Sequence, residues 1–112
     1  MLFQSPQPGD VMMVTTEEFH AWLRGRGIST LLYTGFATNL CILDSPCATK
    51  AMSALGYRCV LLREGTMAIE FPDQPPDRHT EAALRYVEAW VGYTASAEDF
   101  LRACMSREER GE

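Results

Sequence analysis

Short apolar runs alternate along the chain with longer segments that place their apolar residues on one face. After Cys41, for example, Leu43, Cys47 and Ala51 recur at every fourth position, the spacing of one buried helix face. The apolar runs predict strands at residues 11–14, 31–35, 58–63 and 91–94. The amphipathic segments predict helices at residues 16–25, 40–55, 77–91 and 96–104. Alternating strands and helices are typical of an α/β domain with a parallel sheet, so we expect one such domain over residues 1–112.

Several polar and special residues mark where these helices begin and end. Thr16 and Ser96 precede acidic residues, so we expect both to be N-caps. Gly27 and Gly56 follow apolar stripes and predict helix ends. Pro46 lacks a backbone N–H and interrupts a single helix over residues 40–55, so we expect a second segment to begin near residue 45.

The eight residues TGFATNLC, at positions 34–41, place a lone thiol between a predicted strand and a predicted helix. Gly35 permits a sharp exit from the strand, and Cys41 then lies where the helix begins. Free backbone N–H groups and the helix dipole at such a junction stabilise a thiolate and an oxyanion. The alternative is that Cys41 is a small buried hydrophobic residue, the commoner role of a cysteine in an apolar stretch.

The segment from residue 31 to residue 70, LLYTGFATNLCILDSPCATKAMSALGYRCVLLREGTMAIE, resembles the isochorismatase-like cysteine hydrolases. The family pattern is a strand, T/S-G-x-A/H-T-N-x-C, a helix, G-Y and a further strand. The resemblance implies a shortened three-layer α/β/α Rossmann-like parallel sheet, with Cys41 as the catalytic nucleophile. It also implies a cis peptide bond between Phe36 and Ala37, and an oxyanion site formed by the N–H groups of Ala37 and Cys41.

The chain departs from this family at two catalytic positions. Family members are close to twice as long and use an Asp near the end of their first strand and a Lys beyond a later strand. Neither residue has a match here, and Lys50, the only lysine, lies within the helix after Cys41. We therefore expect a partial isochorismatase-like domain, a truncated or incomplete copy, whose activity alone is doubtful.

Residues near the motif are candidates for a substrate pocket. Residues 65–78 contain too many prolines for regular structure and follow the third predicted strand, at the carboxyl end of the sheet, where α/β folds bind ligands. Met67 and Phe71 are candidate apolar walls of this pocket, and Glu64 is expected to anchor the loop through backbone N–H groups. The predicted pocket residues are Thr38, Asn39, Thr66, Met67 and Phe71.

Composition narrows the possible partners. The net charge of -5 and the scattered arginines argue against a nucleic-acid surface, which needs clustered basic residues. No apolar run reaches membrane-spanning length and residues 1–10 do not read as a signal peptide, so we expect a cytoplasmic protein that binds no membrane. Cysteines in apolar stripes favour reduced thiols over disulfides. His20 and His79 lack further ligands at metal spacing, so we expect no metal and no cofactor.

Two functions remain open from the sequence. The first is a cysteine hydrolase that cleaves an amide, C–N or vinyl-ether bond of a small-molecule substrate. The second is a catalytically silent relative that keeps the fold as a binding or assembly module, and an incomplete reading of a longer gene would account for either pattern. Four strands leave exposed sheet edges, so we expect a homo-oligomer in both cases.

Overall fold

The computed structural model describes residues 7–109 and residue 111. Three strands form the sheet: β1 (Thr30–Phe36), β2 (Arg58–Met67) and β3 (Tyr93–Ala95). Five α-helices connect and flank them: α1 (Thr16–Arg24), α2 (Cys41–Asp44), α3 (Thr49–Ala54), α4 (Arg78–Tyr86) and α5 (Ala97–Glu109). A π-helical turn, Val87–Val91, continues α4 towards β3.

The sheet is parallel throughout, in the order β1-β2-β3. Thr30 pairs with Arg58 at the amino end of β1, and Phe36 pairs with Met67 at its carboxyl end. The register shifts between Tyr33 and Gly35, so β2 holds more residues than β1 over the same length. A parallel sheet with flanking helices confirms the predicted α/β class.

The predicted strand at residues 11–14 is wrong, because this segment is neither strand nor helix. The N–H of Val14 donates to the Glu18 carboxylate at 3.0 Å, and the N–H of Glu18 donates to Thr15 Oγ1 at 3.1 Å. These local hydrogen bonds form the cap of α1 and compete with strand pairing. Thr15, not Thr16, is therefore the N-cap, whereas Thr16 donates its hydroxyl hydrogen to the carbonyl oxygen of Pro46.

The segment after Cys41 divides into two short helices, as Pro46 predicts, but the second begins at Thr49 instead of near residue 45. The Thr49 hydroxyl is fully buried and donates to the carbonyl oxygen of Ile42 at 3.0 Å. This bond ties the end of α2 to the start of α3. The Ser96 cap is confirmed, because its hydroxyl accepts from the N–H of Asp99 at 3.0 Å.

Two apolar clusters hold α1, α2, α3 and the π-helical turn against one face of the sheet. Residues i and i+2 of a strand share a face, so Cys59 and Leu61 of β2 contribute to neighbouring clusters. Full burial of a side chain such as Leu61 contributes about 1.5–3 kcal/mol. The first cluster contains Leu23, Leu31, Met52, Tyr57 and Cys59. The second contains Ile42, Leu61 and Val87.

Candidate active site

Cys41 lies at the surface, just beyond the carboxyl end of β1. β1 ends at Phe36, the Phe36–Ala37 peptide bond is cis, and four residues later Cys41 begins α2. The Cys41 side chain is exposed, which excludes the alternative that it is a buried hydrophobic residue. The thiol is therefore accessible to a small molecule from solvent.

Two hydrogen bonds to one carbonyl oxygen, that of Ala37, close the turn between β1 and α2. The N–H groups of Leu40 and Ile42 both donate to the Ala37 oxygen at 3.1 Å. Within residues 7–109 and 111, the N–H groups of Ala37 and Cys41 donate to no protein acceptor. Two N–H donors beside the exposed thiol are thus available to a ligand.

The helix that follows Cys41 is shorter than the sequence predicts. α2 contains four residues, a single turn, because Ser45 has extended backbone and Pro46 follows it. A helix dipole is the sum of aligned peptide units, so one turn contributes much less than a helix that continues to residue 55. Electrostatic stabilisation at Cys41 therefore depends on the individual N–H groups.

Three polar residues of the predicted pocket hold the Cys41 turn against the end of β2. The hydroxyl oxygens of Thr38 and Thr66 lie 2.6 Å apart, and both side chains are buried. The N–H of Thr38 donates to the Met67 oxygen at 3.1 Å, and Asn39 Oδ1 accepts from the N–H of Ile69 at 3.2 Å. Thr38, Asn39 and Thr66 thus position the turn that carries Cys41.

The segment after β2 is fastened by a residue that the sequence analysis missed. The Glu70 carboxylate accepts from the N–H groups of His79 and Thr80, at 2.9 and 2.7 Å, and from the Thr80 hydroxyl at 2.6 Å. Desolvation alone would raise the pKa of Glu70, but the hydrogen bonds from Thr80 and His79 outweigh it and lower the pKa. An acid a few residues before a predicted helix was the only signal for this role, and such acids are common.

Two predictions about the segment after β2 are corrected. β2 continues to Met67, so Gly65, Thr66 and Met67 belong to the strand and not to an irregular loop. Glu64 does not anchor that loop: its carboxylate accepts from the N–H of Ala97 at 2.7 Å and so caps α5. This hydrogen bond is the main reason why the pKa of Glu64 is lowered.

A shallow depression of about 220 Å³ lies beside the thiol. Its lining residues are Leu40, Cys41, Asp44 and Ser45. The Asp44 carboxylate is 3.3 Å from the Lys50 ammonium group, and the hydrogen bond to Asp44 raises the pKa of Lys50. The predicted apolar walls, Met67 and Phe71, are about half exposed and lie outside this depression.

The remaining thiols differ from Cys41 in their surroundings. All four cysteines are free, and Cys104 is also exposed, on α5. Burial raises the pKa of Cys47, with a smaller contribution from the Glu18 carboxylate. Burial likewise raises the pKa of Cys59. Cys104 is therefore the appropriate comparison for the reactivity of Cys41.

Both histidines make contacts within the fold. His20 Nδ1 is 2.7 Å from the Tyr57 hydroxyl, and His79 Nε2 is 2.6 Å from the Gln74 side-chain oxygen. Among residues 7–109 and 111, no three His, Cys, Asp or Glu side chains form a group suited to a metal ion. Over the same residues, no helix combines the length and apolar character needed to cross a membrane.

The sequence profile of the Isochorismatase domain matches residues 11–99, which is most of the chain. The chain belongs to the isochorismatase family. Ureidoacrylate amidohydrolase RutB of Pseudomonas savastanoi pv. phaseolicola (strain 1448A / Race 6) is 32% identical over 102 residues, 85% of this chain and 38% of that protein. RutB of Azorhizobium caulinodans is 30% identical over 106 residues, 88% of this chain and 43% of that protein. The chain thus spans about two-fifths of the length of these curated relatives.

Comparison with a solved structure confirms the fold. The cysteine hydrolase from Pseudomonas syringae pv. phaseolicola 1448A superposes with a TM-score of 0.73 at 18% sequence identity. The match covers 91% of this chain and 52% of that chain. The two proteins therefore share the arrangement of strands and helices over nearly the whole of the present chain.

Proposed function

We propose that this chain carries the nucleophile of an isochorismatase-family cysteine hydrolase, and that Cys41 is that nucleophile. The observation that carries the proposal is an exposed thiol at the carboxyl end of β1 with two unused N–H donors beside it. Membership of the family supports this assignment. The related proteins are named for hydrolysis of an amide, which favours an amide over a vinyl ether as the bond cleaved.

The reaction of an amide at this site has two stages. The Cys41 thiolate attacks the carbonyl carbon, and the resulting oxyanion accepts hydrogen bonds from the N–H groups of Ala37 and Cys41. Collapse of the oxyanion breaks the C–N bond, and the amine leaves after gaining a proton. Water then attacks the thioester, releasing the acid and restoring the thiol.

Proton transfer is the weak step for this chain. The family's Asp and Lys have no counterpart in the sequence, and the Asp44 carboxylate beside Cys41 is already paired with Lys50. General acid and base catalysis is typically worth about 10²–10⁴-fold in rate. We therefore propose that the chain alone forms an acyl-enzyme readily only when the leaving group needs no proton.

An activated ester and an amide of the same acyl group separate these steps. Incubation with 4-nitrophenyl acetate should transfer an acetyl group to Cys41, as read by peptide mass, whereas 4-nitroacetanilide should turn over very slowly. Cys104→Ala is the matched control and should leave the acetylation of Cys41 unchanged. Acetylation that is no faster at Cys41 than at Cys104 would remove the nucleophile assignment.

A catalytically silent binding or assembly module is the second candidate, favoured by the unmatched Asp and Lys. In that case Met67 and Phe71, both about half exposed near the end of β2, would form apolar walls for a ligand that is held and not cleaved. Binding of an amide without any turnover by the chain would support this reading. The hydrolase reading instead requires slow turnover that disappears in Cys41→Ala.

The charge and the exposed side chains of the protein bear on its partners and its assembly. We propose a cytoplasmic homo-oligomer that acts on a small molecule and binds neither nucleic acid nor membrane. The net charge of -5 supports the absence of a nucleic-acid surface. Large exposed apolar side chains, including Phe36 at 72% and Met105 at 61% exposure, support self-association.

A further inference from the structure

A groove lies at the opposite end of the sheet from Cys41. It has a volume of about 690 Å³, against about 220 Å³ for the depression beside the thiol. Thr30, Arg58 and Tyr93 line it, and each is the first residue of its strand. Because the strands are parallel, the groove is at their amino ends, whereas Cys41 follows the carboxyl end of β1.

One wall of the groove is an exposed aromatic side chain on an irregular turn. Trp90 is 79% exposed and belongs to the π-helical turn that follows α4. The turn ends at Gly92, whose N–H donates to the Val87 oxygen at 2.8 Å. A Cβ at Gly92 would lie only 2.4 Å from the Cys59 oxygen, so the backbone of this turn is pressed against β2. This contact between Gly92 and Cys59 fixes the backbone between Trp90 and Tyr93.

An unpaired positive charge lies in the same groove. Arg58 has its guanidinium 5.8 Å from the centre of the Tyr93 ring, and no carboxylate of the described residues is within ion-pair distance of it. Glu88, which also lines the groove, accepts the Thr94 hydroxyl hydrogen at 2.6 Å. Thr94 in turn accepts from Arg63 at 3.0 Å, so hydrogen bonds connect the Glu88 carboxylate through Thr94 to a second guanidinium.

We propose that this groove is a second ligand site, separate from the thiol, that binds a planar aromatic anion. The indole of Trp90 and the ring of Tyr93 supply flat apolar surface for an aromatic ring. The guanidinium of Arg58 recognises a carboxylate with its planar set of N–H donors. The exposed hydroxyls of Ser29 and Thr30 offer further polar contacts at the strand ends. This inference does not depend on hydrolysis at Cys41.

Benzoate and benzamide test the proposal, because they share a ring and differ in charge. The chain contains two tryptophans, so its NMR spectrum has two indole N–H signals, which Trp90→Leu assigns. Benzoate should shift the Trp90 signal saturably and leave the Trp22 signal in place. Benzamide should bind about threefold to fivefold more weakly, the upper part of the range expected of an exposed ion pair.

Variants locate the charge that is recognised. Arg58→Gln should make benzoate bind as weakly as benzamide, while Arg24→Gln, a matched change on α1, should leave the difference intact. The proposal is overturned if the two ligands bind equally to the parent chain. It is also overturned if neither ligand shifts the Trp90 signal at 10 mM, because any binding free energy would then be smaller than roughly 3 kcal/mol. It is also overturned if Trp90→Leu abolishes self-association and no benzoate binds, since the groove would then belong to a second copy of the chain.

Discussion

Thr38 and Thr66 determine where the Cys41 turn lies relative to β2. Thr38 is completely buried, Thr66 is nearly so, and their hydroxyl oxygens are 2.6 Å apart. A buried hydroxyl without a partner loses its hydrogen bonds to water and gains nothing in return. The pair therefore anchors the turn, and substitution of either threonine measures how much this contact stabilises the fold.

Thr66→Val should destabilise the fold by about 1–3 kcal/mol, because it leaves the Thr38 hydroxyl buried and unpaired. The double variant Thr38→Val with Thr66→Val should cost less than the sum of the two single changes, since no orphaned hydroxyl remains. Urea unfolding monitored by circular dichroism measures all three. Ser53→Ala removes a hydroxyl that bonds at the surface and should change stability by less than about 0.5 kcal/mol. Strict additivity of the two threonine changes would contradict the direct hydrogen bond.

The position of Cys41 was predictable because it depends on adjacent residues. A short apolar strand, Gly35 and the small or polar residues before Cys41 determine the turn within eight positions. The hydrogen bonds of Glu70 were not predictable in the same way. They join residues nine and ten positions apart across a segment without regular structure, and no local pattern specifies such a contact.

At the scale of elements, two carboxylates fasten helix starts. Glu64 accepts the Ala97 N–H at the start of α5, and Glu70 accepts N–H groups at the start of α4. Both have lowered pKa values in the folded chain. A lowered folded-state pKa means that the ionised carboxylate stabilises the fold above its unfolded value, and that this stabilisation is lost as the pH falls through the folded value.

The melting temperature should therefore fall as the pH drops below about 4.5, the ordinary pKa of these groups. Glu64→Gln and Glu70→Gln should each lower the melting temperature at pH 7 and each flatten its decline in acid. Because the two residues cap different helices, the double variant should combine both effects. Differential scanning calorimetry between pH 3 and pH 7 gives the comparison. Variant curves that run parallel to the parent curve would contradict the capping role.

The close contact between the π-helical turn and β2 makes a second prediction at this scale. In Gly92→Ala the new Cβ would meet the Cys59 carbonyl oxygen at 2.4 Å, so the backbone must shift. The expected loss of stability is about 1–3 kcal/mol or more. Gly25→Ala is the matched control, because its new Cβ would lie 3.5 Å from the nearest atom, an ordinary contact. Equal stability of the two variants in urea would contradict the packing described here.

Helices and strands form where the sequence predicts them unless another interaction competes with the local pattern. Residues 11–14 are apolar enough for a strand, but Glu18 and Thr15 use nearby backbone N–H groups to cap α1 instead. β2 runs past the predicted residue 63 because pairing with β1 continues to Met67. The sequence around residue 65 contains glycine and polar residues, so it does not predict a strand. Pairing with β1 nevertheless keeps this segment extended.

At the scale of the whole molecule, β1 and β3 are the two edge strands of the sheet within the described residues. Several large apolar side chains are also exposed, and a monomer leaves them in water. We expect dimers or larger assemblies at micromolar concentration, as measured by light scattering. A stable particle of 12.6 kDa at that concentration would contradict this expectation. The exposed residues are Leu32, Phe36, Leu101 and Met105.

The fold class and the turn that carries Cys41 could thus be predicted from sequence, but the contacts around that turn could not. Thr38, Asn39 and Thr66 belong to the recognised motif, yet only the structure shows that they bond to one another and to the end of β2. The groove with Trp90 and Arg58 arises from residues 32 positions apart that meet through the sheet. Long-range contacts of this kind follow from the topology and not from any single segment.

The rate at which iodoacetamide alkylates each cysteine tests the central claim most directly. Thiolate fraction and exposure determine this rate, and each of the four sites is resolved by peptide mass. Cys41 should react several-fold faster than Cys104, the other exposed thiol, and Cys47 and Cys59 should be slowest because burial raises the pKa of each. In urea the four rates should converge. Alkylation of Cys41 that is no faster than that of Cys104 in the folded chain would contradict its assignment as the nucleophile.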